Sequence, residues 1–185
     1  KRAGRASPKQ HHVSQVLVDH AKAGLRVVRL KSGDSGMFGR LEEEITALQS
    51  AGIPFEIIPG VTSASAAAAT AGIPLTRRLT ARRVQFITGA DVTGDLPADV
   101  NMAALADPFA TTVVYMGKRT FAGLVARLIE HGMPADTPAM LAEAVSTPAQ
   151  NITRHTITSL ARHLETTSST TPALIFYGPL AELDK

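Results

Sequence analysis

Cysteine and tryptophan are both absent from this sequence of 185 residues, and aromatic residues make up only 4% of it. Without cysteine the chain cannot form a disulfide or offer a thiolate to a metal ion. With so few aromatic residues, its core must consist mainly of Ala, Val, Leu and Ile. No apolar run approaches the roughly 20 residues that a membrane-spanning helix requires. These absences favour a cytoplasmic globular protein with no membrane partner.

Positive charge is concentrated in two parts of the chain, although the net charge is only +3. Basic residues are frequent in the N-terminal part of the chain and again in a second cluster. Such clusters attract anionic ligands, although an ordinary solvated surface explains the composition equally well. Nucleic acid would also match the charge, but the aromatic side chains on which single strands stack are scarce, so we expect no nucleic-acid partner. The second cluster consists of Arg77, Arg78, Arg82 and Arg83.

Apolar periodicity and glycine stop signals predict alternating helices and strands in the first part of the chain. This order predicts parallel strands joined by right-handed crossovers. Ligands of such sheets usually bind at the carboxyl ends of the strands. The glycine-containing loops at residues 32–36 and 59–63 follow the two predicted strands and are therefore candidate binding loops. The predicted helices cover residues 10–23, 39–51 and 62–71, and the predicted strands cover residues 26–30 and 55–58.

A second α/β unit follows a linker-like segment that ends near Arg78. Residues 89–108, rich in Asp, Gly and Pro, are predicted to form a surface excursion within it. The sequence therefore predicts two lobes, residues 1–76 and residues 77–185. The strands predicted in the second lobe cover residues 84–88, 111–116, 139–142, 151–156 and 173–177, and its helices cover residues 120–131 and 158–165.

Several segments, in matching order and spacing, carry a resemblance to a known family. They are KRAGR at residues 1–5, VVRLKSGD at 27–34, AGIPF at 51–55, PGVTSA at 59–64, AGIPLTRR at 71–78, TG at 88–89, VYMG at 114–117 and PALI at 172–175. Each motif alone is weak, but together they extend over essentially the whole chain. On these motifs the sequence resembles the tetrapyrrole (corrin/porphyrin) methylase family.

The resemblance implies a fold, a cofactor and a reaction. The implied fold is α/β with two domains: a parallel sheet in the first lobe, a mixed sheet in the second, and S-adenosylmethionine in the cleft between them. The implied protein is a homodimeric C-methyltransferase that methylates the anionic tetrapyrrole uroporphyrinogen III. The products would be S-adenosylhomocysteine and precorrin-2, a precursor of sirohaem and cobalamin. Such an enzyme mainly has to align donor and acceptor and manage one proton, so no metal is expected.

The resemblance also implies roles for individual residues. Gly33 permits close approach of the backbone to a ligand, and Asp34 can accept hydrogen bonds from the cofactor's amino or hydroxyl groups. An ordinary strand-to-helix turn would contain the same two residues. Lys1 is the implied proton donor, and Arg77 with Arg78 would bind carboxylates of the acceptor. The implied cofactor-binding residues are Ser32, Gly33, Asp34, Met37, Thr62, Ser63, Met116, Val145 and Ala173.

Three features depart from the family pattern. Ser32 and Ser35 replace the first and last residues of the usual Gly-Gly-Asp-Pro loop, and Arg77 stands where histidine is frequent. The family's leading strand and Gly-Pro-Gly-Asp loop are missing, so we expect the chain to start inside the first lobe, short of roughly 30 residues. Two alternatives therefore stay open. One is a truncated module that binds S-adenosylhomocysteine or a tetrapyrrole without turnover, and the other is a sister methylase acting on another corrinoid precursor.

Overall fold

The structure is a computed structural model that describes residues 10–181. The chain divides into two compact units, Lys1–Thr62 and Ser63–Lys185. The division falls earlier than the boundary near residue 76 that the sequence predicts. The reason is the small-residue helix that begins at Ser63. Its buried residues Ala64 and Ala67 belong to a hydrophobic cluster of the second unit, so this helix packs with the later part of the chain.

The first unit contains two helices among its described residues 10–62. Helix α1 spans Gln10–Lys22 and helix α2 spans Leu41–Ser50, close to the predicted bounds, and the two pack against each other. Helix α1 buries Leu17 and Val18. Three glutamates occupy the first turn of α2, where negative charge favours the helix dipole.

The predicted parallel sheet of the first lobe is not confirmed. Residues 26–30 and 55–58 form no β-ladder with each other or with any other part of residues 10–62. Their apolar side chains stay largely in solvent, with Val28 72%, Leu30 81% and Ile58 71% exposed. The prediction of strands here was wrong. β-Branched and apolar residues indicate that a segment would suit a sheet, but they do not show that a neighbouring strand is available to pair with it.

The second unit is built on a mixed sheet of five strands in the order β1-β2-β5-β3-β4. Strands β1 and β2 are parallel, and the other neighbouring pairs are antiparallel. The predicted mixed sheet is thus confirmed. The elements of this unit are α3 (Ser63–Thr70), β1 (Arg83–Thr88), α4 (Met102–Leu105), β2 (Ala110–Tyr115), α5 (Phe121–Glu130), β3 (Pro138–Glu143), β4 (Asn151–Thr156), α6 (Ile157–Thr166) and β5 (Ala173–Tyr177).

Both faces of this sheet are covered, which explains why its central strands β2, β3 and β5 are almost fully buried. Successive residues of a strand point to opposite faces. Val114 therefore joins the cluster of α5 and α6, whereas its neighbour Val113 joins the cluster of α3. The short helix α4 lies inside the predicted surface excursion and was not predicted. It is capped by the Asn101 side chain, which accepts a hydrogen bond from the Ala104 amide at 3.1 Å.

Candidate functional site

The first unit carries a closed loop at residues 32–39, ahead of α2. Lys31 holds its two ends together, because Nζ donates hydrogen bonds both to the carbonyl oxygen of Gly39 and to the Glu44 carboxylate at 2.9 Å. The Lys31 side chain is only 12% exposed. The loop that contains the predicted cofactor-binding residues Ser32, Gly33, Asp34 and Met37 is therefore anchored at both ends by one partly buried cation.

Asp34 lies inside this loop, and both of its carboxylate oxygens accept backbone hydrogen bonds. Oδ1 accepts from the Gly36 amide at 2.8 Å, and Oδ2 accepts from the Gly60 amide at 3.1 Å. Each carboxylate oxygen has a second acceptor position, so Asp34 can still accept from a ligand amine or hydroxyl. These bonds give the carboxylate a defined orientation, while its role toward the cofactor stays a prediction.

Gly33 and Gly60 bring the two candidate binding loops of the first unit into contact. Gly33 has a φ of 74°, in the left-handed region that favours glycine. A Cβ placed on Gly60 would lie 2.1 Å from the Gly33 carbonyl oxygen and 3.2 Å from Cα of Asp34. Position 60 therefore has no room for a side chain while the loop keeps this conformation.

Glu44 is a buried carboxylate of α2 whose side chain is 4% exposed. It accepts hydrogen bonds from Lys31, from Nε of Arg29 at 3.1 Å and from the side-chain amide of Gln10 at 3.1 Å. Burial alone would raise the pKa of Glu44, but these hydrogen bonds outweigh burial and hold that pKa below its ordinary value. An ionised Glu44 thus fixes the backbone that leads into the closed loop.

Three predicted cofactor-binding residues of the second unit lie at one edge of its sheet, namely the side at which β2 and β3 end and β5 begins. Met116 directly follows β2, Val145 follows the end of β3, and Ala173 begins β5. Strand β5 runs antiparallel between β2 and β3, so its start lies beside their ends. The structure therefore brings these three residues to one edge, although they are far apart in the sequence.

The backbone at this edge is left-handed at three residues other than glycine. The φ angles are 55° at Met116, 46° at Ala144 and 63° at Ser146. Such conformations cost about 1–3 kcal/mol each and persist only where the surroundings enforce them, which often occurs at functional sites. The Met116 residue is 56% exposed, so core packing does not explain this methionine.

Arg77 and Arg78 lie in an exposed turn of the second unit. The backbones of Arg77 and Ala81 exchange two hydrogen bonds, at 2.8 and 3.0 Å, that close this turn. The turn uses main-chain groups of Arg77 and leaves both guanidinium groups exposed. Adjacent exposed guanidinium groups can bind carboxylates, and the predicted contact with the acceptor stays a prediction.

The other predicted site residues are less informative. Lys1 lies outside the described residues. Ser32 is exposed, and the Met37 amide donates to the Asp34 carbonyl oxygen at 3.3 Å within the closed loop. Ser63 is the first residue of α3.

A family profile described as Tetrapyrrole (Corrin/Porphyrin) Methylases matches residues 1–161. The chain belongs to the tetrapyrrole methylase family. The predicted family resemblance is therefore confirmed. Among solved structures, this family member is similar to a uroporphyrin-III C-methyl transferase from Thermus thermophilus complexed with S-adenyl homocysteine. That comparison has a TM-score of 0.78 and 32% sequence identity, and it covers 92% of this chain and 74% of the other.

Curated relatives are longer than this tetrapyrrole methylase chain. The S-adenosyl-L-methionine-dependent uroporphyrinogen III methyltransferase, chloroplastic, of Arabidopsis thaliana is 41% identical over 99% of this chain and 50% of its own length. A siroheme synthase of Tolumonas auensis is 44% identical over 99% of this chain and 38% of its own length. The chain thus spans half or less of these relatives.

Sequence reasoning missed one ion pair at the sheet edge of this family member. Nζ of Lys118 lies 2.8 Å from Oε1 of Glu143, at the ends of two strands that are not neighbours in the sheet. Lys118 directly follows the VYMG motif, and Glu143 directly follows the strand predicted at residues 139–142. Their proximity depends on β5 lying between β2 and β3, which no local pattern shows. Within residues 10–181, no group of three His, Asp or Glu side chains could hold a metal ion, and no helix is long and apolar enough to cross a membrane.

Proposed function

We propose that this chain acts as an S-adenosylmethionine-dependent C-methyltransferase that converts uroporphyrinogen III to precorrin-2. The observation that carries the proposal is its similarity, over 92% of its length, to a uroporphyrin-III C-methyl transferase complexed with S-adenyl homocysteine. The name of the Arabidopsis relative specifies the same donor and the same acceptor. The name of the Tolumonas relative, siroheme synthase, supports a place in sirohaem synthesis.

The chemistry of the described residues is compatible with this cofactor. In the first unit, Asp34 is an oriented acceptor for an amino or hydroxyl group, and the adjacent Gly33 presents backbone without a side chain. In the second unit, the left-handed residues Met116 and Ala144 turn main-chain groups away from the regular ladder at one sheet edge. We propose cofactor contacts for each of these groups, argued from its own unit alone. Their members are Ser32, Gly33, Asp34, Met37 and Thr62 in the first unit and Ser63, Met116, Val145 and Ala173 in the second.

The proposed reaction places modest demands on the protein. S-adenosylmethionine supplies an electrophilic methyl group, and a β-carbon of the electron-rich pyrrole forms the new bond as the methyl leaves sulfur. That carbon already bears a carboxyalkyl group and becomes quaternary, so the proton that balances the charge would leave from the ring N–H or from an adjacent meso carbon, and no oxidant or reductant is needed. The side chains therefore have to bind and orient the two reactants and manage a proton. Lys1 remains the proposed proton donor.

The acceptor carries several acetate and propionate groups, which suit a cationic binding surface. We assign Arg77 and Arg78 to these carboxylates, because both guanidinium groups are exposed and adjacent on a turn closed by its own backbone. A homodimeric state and a cytoplasmic location stay predictions. The Arabidopsis relative, by its name, is chloroplastic.

A methyl-transfer assay with the full chain tests the proposal. The full chain, methyl-labelled S-adenosylmethionine and uroporphyrinogen III should yield a labelled tetrapyrrole whose mass rises by one or two methyl groups. The Gly33→Val variant serves as the negative control. Binding of S-adenosylhomocysteine without any transfer to the acceptor would favour the non-catalytic module. Transfer to another corrinoid precursor, with none to uroporphyrinogen III, would favour the sister methylase.

A further inference from the structure

The edge of the second unit's sheet where β2, β3 and β5 meet is defined by the strand register. Leu174 of β5 pairs with Tyr115 of β2 on one side and with Ala142 of β3 on the other. The residues that follow β2 and β3 therefore emerge on both sides of the start of β5. These segments include residues that we propose to contact the nucleoside.

Lys118 connects the three chain segments at this edge. Its Nζ donates to Oε1 of Glu143, the last residue of β3, at 2.8 Å and to the carbonyl oxygen of Thr171, just before β5, at 3.4 Å. Lys118 itself follows β2 by three residues. Its ammonium group thus reaches across β5, from the end of one neighbouring strand to the end of the other.

Solvent shields this ion pair only weakly. The Lys118 side chain is 17% exposed and that of Glu143 is 19% exposed. Partly buried pairs are less screened by salt and water than surface pairs, which contribute little. The pair is therefore able to restrain backbone at the edge.

The backbone next to the pair needs such a restraint. Met116 and Ala144 are both left-handed residues with a Cβ, and each stands within two residues of one member of the pair. The Ala144 amide donates to the carbonyl oxygen of Pro172 at 2.9 Å, which joins the end of β3 to the start of β5. Loss of the ammonium group would let these turns relax toward ordinary angles.

We propose that Lys118, through Glu143 and Thr171, is a positioning residue that holds the nucleoside-binding edge of the second unit in its binding conformation. This inference rests on the proposed function, because it assumes that S-adenosylmethionine contacts this edge. Lys118 itself need not contact the cofactor.

The test compares Lys118→Met, which keeps most of the side-chain volume, with Lys118→Arg, which keeps the charge. In the full chain, Lys118→Met should raise the KM for S-adenosylmethionine and the Kd for S-adenosylhomocysteine about tenfold, within the usual range for coupled residues. The kcat should change less than about twofold, since the reacting atoms are untouched. Lys118→Arg should restore most of the affinity.

Arg83→Met is the matched control. It removes the Arg83–Asp107 pair, 2.6 Å long, at the start of β1 and so at the opposite edge of the same sheet. A merely structural role for Lys118 would lower Tm in both variants and leave the KM for S-adenosylmethionine unchanged in both. That result, or unchanged affinity in Lys118→Met while the wild-type chain binds, would overturn the inference.

Hydrogen exchange at Ala144 separates this inference from the proposed function. If the wild-type chain binds no S-adenosylhomocysteine, the proposed function fails on its own. The Ala144 amide should still exchange at least tenfold faster in Lys118→Met than in the wild type, because its bond to Pro172 depends on the restraint. Equal exchange rates would overturn the inference whatever the chain binds.

Discussion

Replacing Gly60 with alanine should displace the proposed cofactor loop while leaving every residue proposed to contact the cofactor unsubstituted. The new Cβ would lie 2.1 Å from the carbonyl oxygen of Gly33 and 3.0 Å from its carbonyl carbon. Both are backbone atoms, which cannot rotate away as a flexible side chain can. The segment containing Gly33 and Asp34 must therefore move by roughly 1 Å, a displacement that can slow an enzymatic step about 100-fold. The 3.1 Å hydrogen bond from Gly60 to Asp34 would be lost as well.

We expect Gly60→Ala to bind S-adenosylhomocysteine much more weakly and to transfer methyl groups about 100-fold more slowly than the wild type. The overpacking should cost about 1–3 kcal/mol in the free energy of unfolding. Calorimetry, a methyl-transfer assay and urea denaturation measure the three quantities. Gly123→Ala is the matched control, because its Cβ meets nothing within 4 Å and position 123 lies inside helix α5. That control should be neutral or stabilising by up to about 1 kcal/mol. Wild-type affinity in Gly60→Ala would refute the placement of the loop.

Two further variants test charges on which the account depends. Glu44→Gln should lower the free energy of unfolding by about 2 kcal/mol at pH 7, since Lys31 loses its ionic partner. Because the folded state holds the pKa of Glu44 below its ordinary value, this contribution should be complete above about pH 5 and should vanish as the pH falls through that lowered pKa. Denaturation of both proteins from pH 7 to pH 3 would show it, and a constant difference would contradict it. Arg77→Ala combined with Arg78→Ala should raise the KM for uroporphyrinogen III more than tenfold and leave the Kd for S-adenosylhomocysteine within about twofold; equal losses in both would exclude the carboxylate contact.

Much of the second unit was predictable because its central strands β2, β3 and β5 are mainly apolar runs bounded by turn residues. The strand predicted at residues 151–156 coincides with β4, and the strand at 173–177 coincides with β5. The order of the strands was not predictable from local patterns. Strand β5 lies between β2 and β3, so the last strand in sequence occupies the middle of the sheet. Only this insertion brings Lys118 within reach of Glu143.

The first unit shows the opposite case. Residues 26–30 and 55–58 have the composition of strands, yet they form no ladder within residues 10–62. A strand depends on a neighbouring segment, which composition cannot supply. The loops that follow these segments nevertheless lie against each other, because the Gly60 amide donates to Asp34 and position 60 has no room for a Cβ beside the Gly33 carbonyl group. The role of Glu44 was not predictable, because it stands in no recognisable motif and its partners Lys31 and Gln10 come from distant positions in the sequence.

Calorimetric titration of the full chain with S-adenosylhomocysteine, in parallel with Gly33→Val, tests the central claim most directly. Valine is β-branched and strained at the left-handed φ of 74°, and it would place a side chain on the loop surface proposed to contact the cofactor. The account predicts micromolar binding by the wild type and none by Gly33→Val, with both proteins retaining the same circular dichroism spectrum. Micromolar binding retained by Gly33→Val would contradict it.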